Sequence, residues 1–321
     1  MNVIFMFSPI IFLIPLMLGT FLVLSSSSWF SLWLGMELNV ISFIPMILSD
    51  SSSSAESAIS YFLIQAFSSL LFISVIFMTT IFSLFIVNSI FIMIVMMLKM
   101  GSAPFHSWVL FMVKSLTWPK MILLLIWQKI NPLFLLNLFN SNLFSFIVLN
   151  AVIGAFTGLS QFSFRKMMVL SSLVHLSWIF LAMQYSHMNW ILYFMGYSIN
   201  LLILMFLFYY FNLNYVKDIF KIKNNNFQSA MVCFYIFNMA GLPPFTGFFL
   251  KWMVLSFSIE KNIFLSFIVL MMSLLSLVFY IRIIYNSMLL SKVSITLMFN
   301  YKLTFYVFPI FIIGPMFISL I

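Results

Sequence analysis

The chain has 321 residues, 64% of them hydrophobic and 6% charged, with a formal net charge of +9. A mean hydropathy of +1.20 leaves too little polar surface to cover a water-soluble core, and the unbroken apolar runs exclude the alternation of a transmembrane barrel. In such a chain the basic excess marks loops on one membrane face, not a nucleic-acid partner.

A helix that crosses the hydrocarbon needs about 20 apolar residues. On that length the chain divides into spans at residues 3–24, 29–48, 57–78, 81–113 with a break, 119–139, 144–161, 165–184, 189–211, 229–257 with a break, 264–286 and 303–321. The expectation is an all-α polytopic bundle of about eleven helices, forming one membrane domain over residues 1–321. The first span opens directly on apolar sequence, Met1 to Leu24, which predicts insertion without a cleaved basic leader. The 43 Phe and 26 Met suggest a compositionally biased, organelle-type genome.

The second span carries Glu37 within Trp33-Leu34-Gly35-Met36-Glu37-Leu38-Asn39. A charge at mid-bilayer costs about 2.5–3.5 kcal/mol even on insertion scales, so such a residue needs a reason. A structural ion pair is one reason, and a part in proton movement is the other. The fourth span holds Lys99 just before Gly101-Ser102-Ala103-Pro104-Phe105. Pro104 has no N–H and clashes with the carbonyl four residues back, so the helix is expected to break there and its free carbonyls to need polar partners. Lys99 then lies at the negative end of a half-helix, where a cation is favoured. The bland alternative is a lysine snorkelling to the interface. His106 follows the break directly, and a packing or backbone-capping role suffices for it.

The fifth span starts at Pro119, and Lys129 lies ten residues in, about 15 Å along the helix and half-way across the hydrocarbon. Pro132 frees the carbonyl of Gln128, so Trp127-Gln128-Lys129 and Asn131-Pro132 form a polar, loosened patch. In the seventh span, His175 follows Ser171 and Ser172; it is either a proton relay or a satisfied interior histidine. The single Cys233 reads as a small core residue, with no disulfide framework or metal-ligand spacing around it. The ninth span is interrupted at Gly241-Leu242-Pro243-Pro244-Phe245, and Lys251 follows two turns later, expected to face a hydrated interior or, failing that, the interface at the helix end.

The two interruptions share G-x-x-P-F, lie 140 residues apart and fall in the fourth and ninth spans, an odd number of crossings apart. Paired broken helices running in opposite directions are the sequence sign of a transport site in an inverted repeat. Alternating the loops puts Asp50, Glu56, Lys114, Lys120, Arg165, Lys166, Lys217, Asp218, Lys221, Lys223, Lys292 and Lys302 on the side of the N-terminus, with Arg282 near it. Serines 25–28, Asn140, Asn142, His187, Glu260 and Lys261 fall on the other, with the C-terminus. A buried row of amino groups can pass a charge change along the membrane plane, because an ammonium taken out of water yields its proton more readily.

These stretches carry a resemblance. Residues 33–39, 99–108 (Lys99 to Trp108), 127–132, 158–161 (Gly158 to Gln161) with Arg165 and Lys166, 171–178 with His175, and 241–252 stand in the order of the antiporter-like subunit family of mitochondrial NADH:ubiquinone oxidoreductase (respiratory complex I), its chain 2 members in particular. The resemblance implies that Glu37 and Lys99 form a charged pair, that Lys129 is the central lysine and Lys251 the distal one. It implies eleven helices, a matrix-facing basic side with the N-terminus, and a C-terminus facing the intermembrane space of the mitochondrial inner membrane. It further implies partners among the other membrane and peripheral subunits, membrane lipids around the chain, and NADH, FMN, iron–sulfur clusters and ubiquinone held by those partners, with no cofactor in this chain. Only protons and water would move through it. The chain departs from the family after Trp108, where Val109-Leu110-Phe111-Met112 replace a proline and an acidic residue, and at Ala155 and Ser163. Two rival readings are a stand-alone cation/proton antiporter and a non-conducting membrane scaffold in which buried charges only set helix register.

Overall fold

The computed structural model describes residues 2–48, 54–82, 85–139, 142–185, 189–218 and 226–288. All of the regular structure among them is helical, in twelve helices, six of which are long and apolar enough to cross a membrane. The span expected at 303–321 lies outside the described residues, as do Asp50, Asn140, His187, Lys221, Lys223, Lys292 and Lys302. The chain separates into two compact units, Met1–Asn142 and Leu143–Ile321.

The first unit contains α1 (Asn2–Ser25), α2 (Trp29–Leu48), α3 (Ser54–Phe82), α4 (Phe85–Met100), the short α5 (Ser107–Met112) and α6 (Trp118–Phe139). α1 and α2 touch backbone to backbone. A Cβ on Gly35 would lie 2.7 Å from the Gly19 carbonyl oxygen, so small residues at the crossing are what allow the approach. α3 is the least enclosed span, with 33% of its apolar window buried, and Phe62, Leu63, Phe67 and Leu70 form an exposed apolar stripe along it. α6 is one rod with a flaw. It begins with Pro119 in its first turn, loosens into a π-helical stretch at Leu123–Trp127, and resumes as Gln128–Phe139 around Pro132. The loosening expected at Gln128 is therefore present one turn earlier. Lys120, counted with the charges of the membrane face at the start of the 119–139 span, is buried in the first turn of α6.

The second unit contains α7 (Phe144–Leu159), α8 (Phe164–Tyr185), α9 (Asn189–Tyr210), α10 (Asn226–Ala240), α11 (Thr246–Lys261) and α12 (Ile263–Met288). α8 is its axis: 94% of its apolar window is buried, and α7, α9, α11 and α12 all pack on it. A helix with no lipid face can carry polar groups that a lipid-facing helix cannot. The two ends of α8 are tied differently. At its start Arg165 Nη2 donates to Asn214 Oδ1 at 2.9 Å, Asp218 Oδ2 accepts from the Asn214 and Tyr215 amides at 3.0 and 2.7 Å, and Arg282 lies over the Phe162 ring. At its far end Lys261 Nζ donates to the Tyr185 carbonyl at 3.0 Å. Arg165, Asp218 and Arg282 thus share one end of this unit and Lys261 the other, as the loop alternation requires.

Candidate functional site

Both helix interruptions are built the same way. α4 ends at Met100, and Gly101 turns left-handed with φ +64°; its N–H reaches Leu98 O at 3.2 Å, and Ser102 N–H reaches Met97 O at 3.1 Å. α10 ends at Ala240, and Gly241 has φ +78°; its N–H reaches Asn238 O at 3.2 Å, and Leu242 N–H reaches Phe237 O at 3.4 Å. This pair of bonds around a left-handed glycine is the Schellman ending. The glycines end the helices, and Pro104, Pro243 and Pro244 lie in the turns that follow. Proline was expected to make the break; the left-handed residue makes it, because it turns the chain off the helix axis before the proline is reached. His106 sits in the first turn with a ring nitrogen 3.2 Å from the Pro104 carbonyl oxygen, a local backbone contact.

At the first interruption two of the end carbonyls gain side-chain partners. Gln65 Nε2, from α3, donates to the Lys99 carbonyl at 3.1 Å, and Ser102 Oγ donates to Met97 O at 3.2 Å. The Lys99 side chain is 5% exposed and its Nζ lies 3.6 Å from Met36 Sδ. Glu37, half-buried on α2, stands within electrostatic reach of Lys99 and of the Tyr61 hydroxyl. Its buried Oε1 has no hydrogen-bond partner among the described residues. Beside them is a cavity of about 20 Å³ lined by Met36, Asn39, Gln65, Lys99, Gln128 and Asn131. A cavity of about this size holds one water molecule. Asn131 Oδ1 and Nδ2, Gln128 Nε2 and Asn39 Oδ1 are buried without protein partners, so they supply the donors and acceptors a water would use. Lys129, 3% exposed, stands between Gln128 and Asn131 in sequence at the point where the π-helical stretch ends.

At the second interruption the lysine itself satisfies the helix end. Lys251, 8% exposed, folds back across the break, and its Nζ donates to the Ala240 carbonyl at 2.7 Å. An ammonium on the last carbonyls of a half-helix gains both a charge-assisted hydrogen bond and the negative end of the helix dipole. In the same unit, His175 Nδ1 is 2.9 Å from the Tyr193 hydroxyl, and the His175 ring lies 4.6 Å from that of Tyr197. Tyr280 of α12 is within electrostatic reach of both tyrosines. His175 and Lys251 lie on helices that pack together, α8 and α11.

The first unit therefore brings together Glu37, Lys99 and the segment carrying Lys129, and the second brings His175 and Lys251 onto adjoining helices. All three lysines are buried, at 5%, 3% and 8% exposure. Several polar partners were not singled out from sequence: Gln65, Tyr193, Tyr197, Asn200 and Asn238. A signal existed for some of them. Tyr193, Tyr197 and Asn200 follow an i, i+4, i+7 spacing, one face of an otherwise apolar helix.

Comparison with known proteins gives concordant likenesses. Residues 26–278 match the family described as NADH:quinone oxidoreductase/Mrp antiporter, TM. NADH-ubiquinone oxidoreductase chain 2 of Anopheles gambiae is 36% identical over 294 residues, 88% of this chain and 86% of that protein. Its counterpart in Aedes aegypti is 37% identical over 309 residues, 91% of this chain and 90% of that protein. Among solved structures, a chain of respiratory complex I from Thermus thermophilus with bound aureothin superposes with a TM-score of 0.78 at 16% identity, over 88% of this chain and 70% of that one. At that identity the likeness is one of fold.

Proposed function

Because the chain belongs to the NADH:quinone oxidoreductase/Mrp antiporter transmembrane family, we propose that it is a proton-translocating membrane-arm subunit of a redox-driven NADH:ubiquinone oxidoreductase. The observation that carries this reading is the burial of Lys99, Lys129 and Lys251. Each is beside a helix break or a π-helical flaw, where backbone and side-chain polar groups can share a charge. A scaffold would place hydrocarbon there at no cost.

In this reading the Glu37–Lys99 interaction opens and closes. A modest movement of α2 against α4 changes the distance between the two groups, and the altered field shifts the proton affinity of Lys129. His175 and Lys251 take the charge change onward in the second unit. Lys251 has two states available: bound to Ala240 O as an ammonium, or released. The likeness to chain 2 proteins over about nine-tenths of the chain favours this subunit role over a stand-alone antiporter. NADH, flavin, iron–sulfur and quinone chemistry then belongs to the partner subunits, and the family match across both units supports one functional membrane domain. The end of the second unit that gathers Arg165 and Arg282 faces the matrix in this proposal.

Lys129→Met tests it. Methionine keeps the length and removes the charge, which spares the protein about 2.5–3.5 kcal/mol of burial cost, so assembly should persist. The assembled complex is expected to oxidise NADH with fewer protons moved per electron. Assembly with normal electron transfer and an undiminished ratio would overturn the mechanism.

A further inference from the structure

The second break is held by three polar side chains that the charge path does not itself use. α11 begins at Thr246, and the residue before it, Phe245, makes no side-chain cap. The first-turn N–H of Gly247 donates instead to Asn238 Oδ1 at 2.9 Å. One half-helix thus caps the other, satisfying an N–H that a helix start leaves open. Thr246 Oγ1 donates to the same Asn238 oxygen at 2.7 Å, and Asn238 Nδ2 donates to Asn200 Oδ1 on α9 at 2.9 Å. Asn200 Nδ2 returns to Thr246 Oγ1 at 3.4 Å, closing a ring. Asn238 is fully buried, and both acceptor positions of its carbonyl are filled.

The ring lies directly behind the distal lysine. Ala240, two residues beyond Asn238, offers the carbonyl that accepts from Lys251. Acceptor and donor belong to different half-helices, linked along the chain by the turn of residues 241–245. Their spacing depends on the angle between α10 and α11, and the ring bonds both half-helices to each other and to α9. The same face of α9 carries Tyr193 and Tyr197 at His175 and Asn200 at the ring, so one helix ties the two together.

We propose that Asn238, completed by Asn200 and Thr246, is the positioning residue of Lys251: it keeps the carbonyl end of α10 under the ammonium so that the lysine returns to one place after each charge change. This rests on the reading of Lys251 as a charge-carrying group.

The test compares assembled complexes carrying Lys251→Met, Asn238→Ala and both, measuring protons moved per electron in sealed vesicles alongside NADH oxidation. Asn238→Ala is expected to lower the ratio toward that of Lys251→Met, and to lower it no further when Lys251 is already methionine. A merely structural asparagine would add its loss in the double variant, which would overturn the proposal, as would a normal ratio in Asn238→Ala beside a lowered one in Lys251→Met. A normal ratio in Lys251→Met would instead overturn the reading on which it rests. Should Asn238→Ala fail to assemble, the Thr246 pair decides. Thr246→Val removes the hydroxyl and should lower the ratio, whereas Thr246→Ser keeps it and should restore the ratio; equal ratios for the two would overturn the proposal.

Discussion

Gly241 is where backbone geometry and the distal charge meet, and a single methyl group there should disturb both. Its φ of +78° is one that a side chain makes costly, by roughly 1–2 kcal/mol for alanine. The added Cβ would stand 2.8 Å from Lys251 Nζ, 3.0 Å from Cε and 3.1 Å from Cδ. Carbon contacts are comfortable at about 3.5–4.0 Å, so the lysine stem has to give by about half an ångström or more. The ammonium now sits 2.7 Å from Ala240 O, and a displacement of that size along the stem takes it toward the limit of a hydrogen bond. Losing a bond to a charged group costs about 1.5–3 kcal/mol in its own right. Gly241→Ala is thus exposed to about 2.5–5 kcal/mol if neither part relaxes, enough to threaten assembly. Asparagine carries the same Cβ but tolerates the left-handed backbone several-fold better. Gly241→Asn should therefore assemble closer to the normal level than Gly241→Ala, as read by native electrophoresis, while both move fewer protons per electron, as read by dye-reported acidification beside NADH oxidation. A Gly241→Asn complex with a normal ratio would refute the reasoning, since the ammonium would then have been displaced without consequence.

Two further outcomes are expected. Tyr193→Phe removes the hydroxyl held by His175 at 2.9 Å; buried polar contacts in membrane proteins average about 0.6 kcal/mol, so thermal inactivation of the assembled complex should shift little while proton movement falls. An unchanged ratio would make His175 an interior histidine only. Gly35→Ala sets a Cβ 2.7 Å from both the Gly19 carbonyl oxygen and Val23 Cγ2, and overpacking of that kind costs about 1–3 kcal/mol. The assembled fraction should drop, with protons per electron normal in the complexes that form, and a full assembly yield would show that α1 and α2 can part without penalty.

Much of this molecule was legible in its chain because the bilayer is so strict a solvent. In oil every backbone N–H and C=O needs an internal partner, so an apolar run of sufficient length is a helix and little else. The second span was placed at 29–48 and stands there as Trp29–Leu48; the pair of G-x-x-P-F interruptions fell where α4 and α10 end. The same strictness made the lysines conspicuous, since a charge in such a run is costly wherever it points.

Direction and partnership were not legible. Lys120 could be placed at the start of a span, yet its burial there was not visible in the sequence. Glu37 and Lys99 could be named as a pair, yet whether they touch depends on how α2 and α4 lean together. That Lys251 would reach back to Ala240, or that Asn238 would cap a helix to which it does not belong, is written in no local pattern. Helix formation and span length are properties of neighbours a few residues apart, and sequence alone determined them. Which polar atom finds which partner across helices is set by packing between segments distant in the chain, and that only the tertiary structure decided.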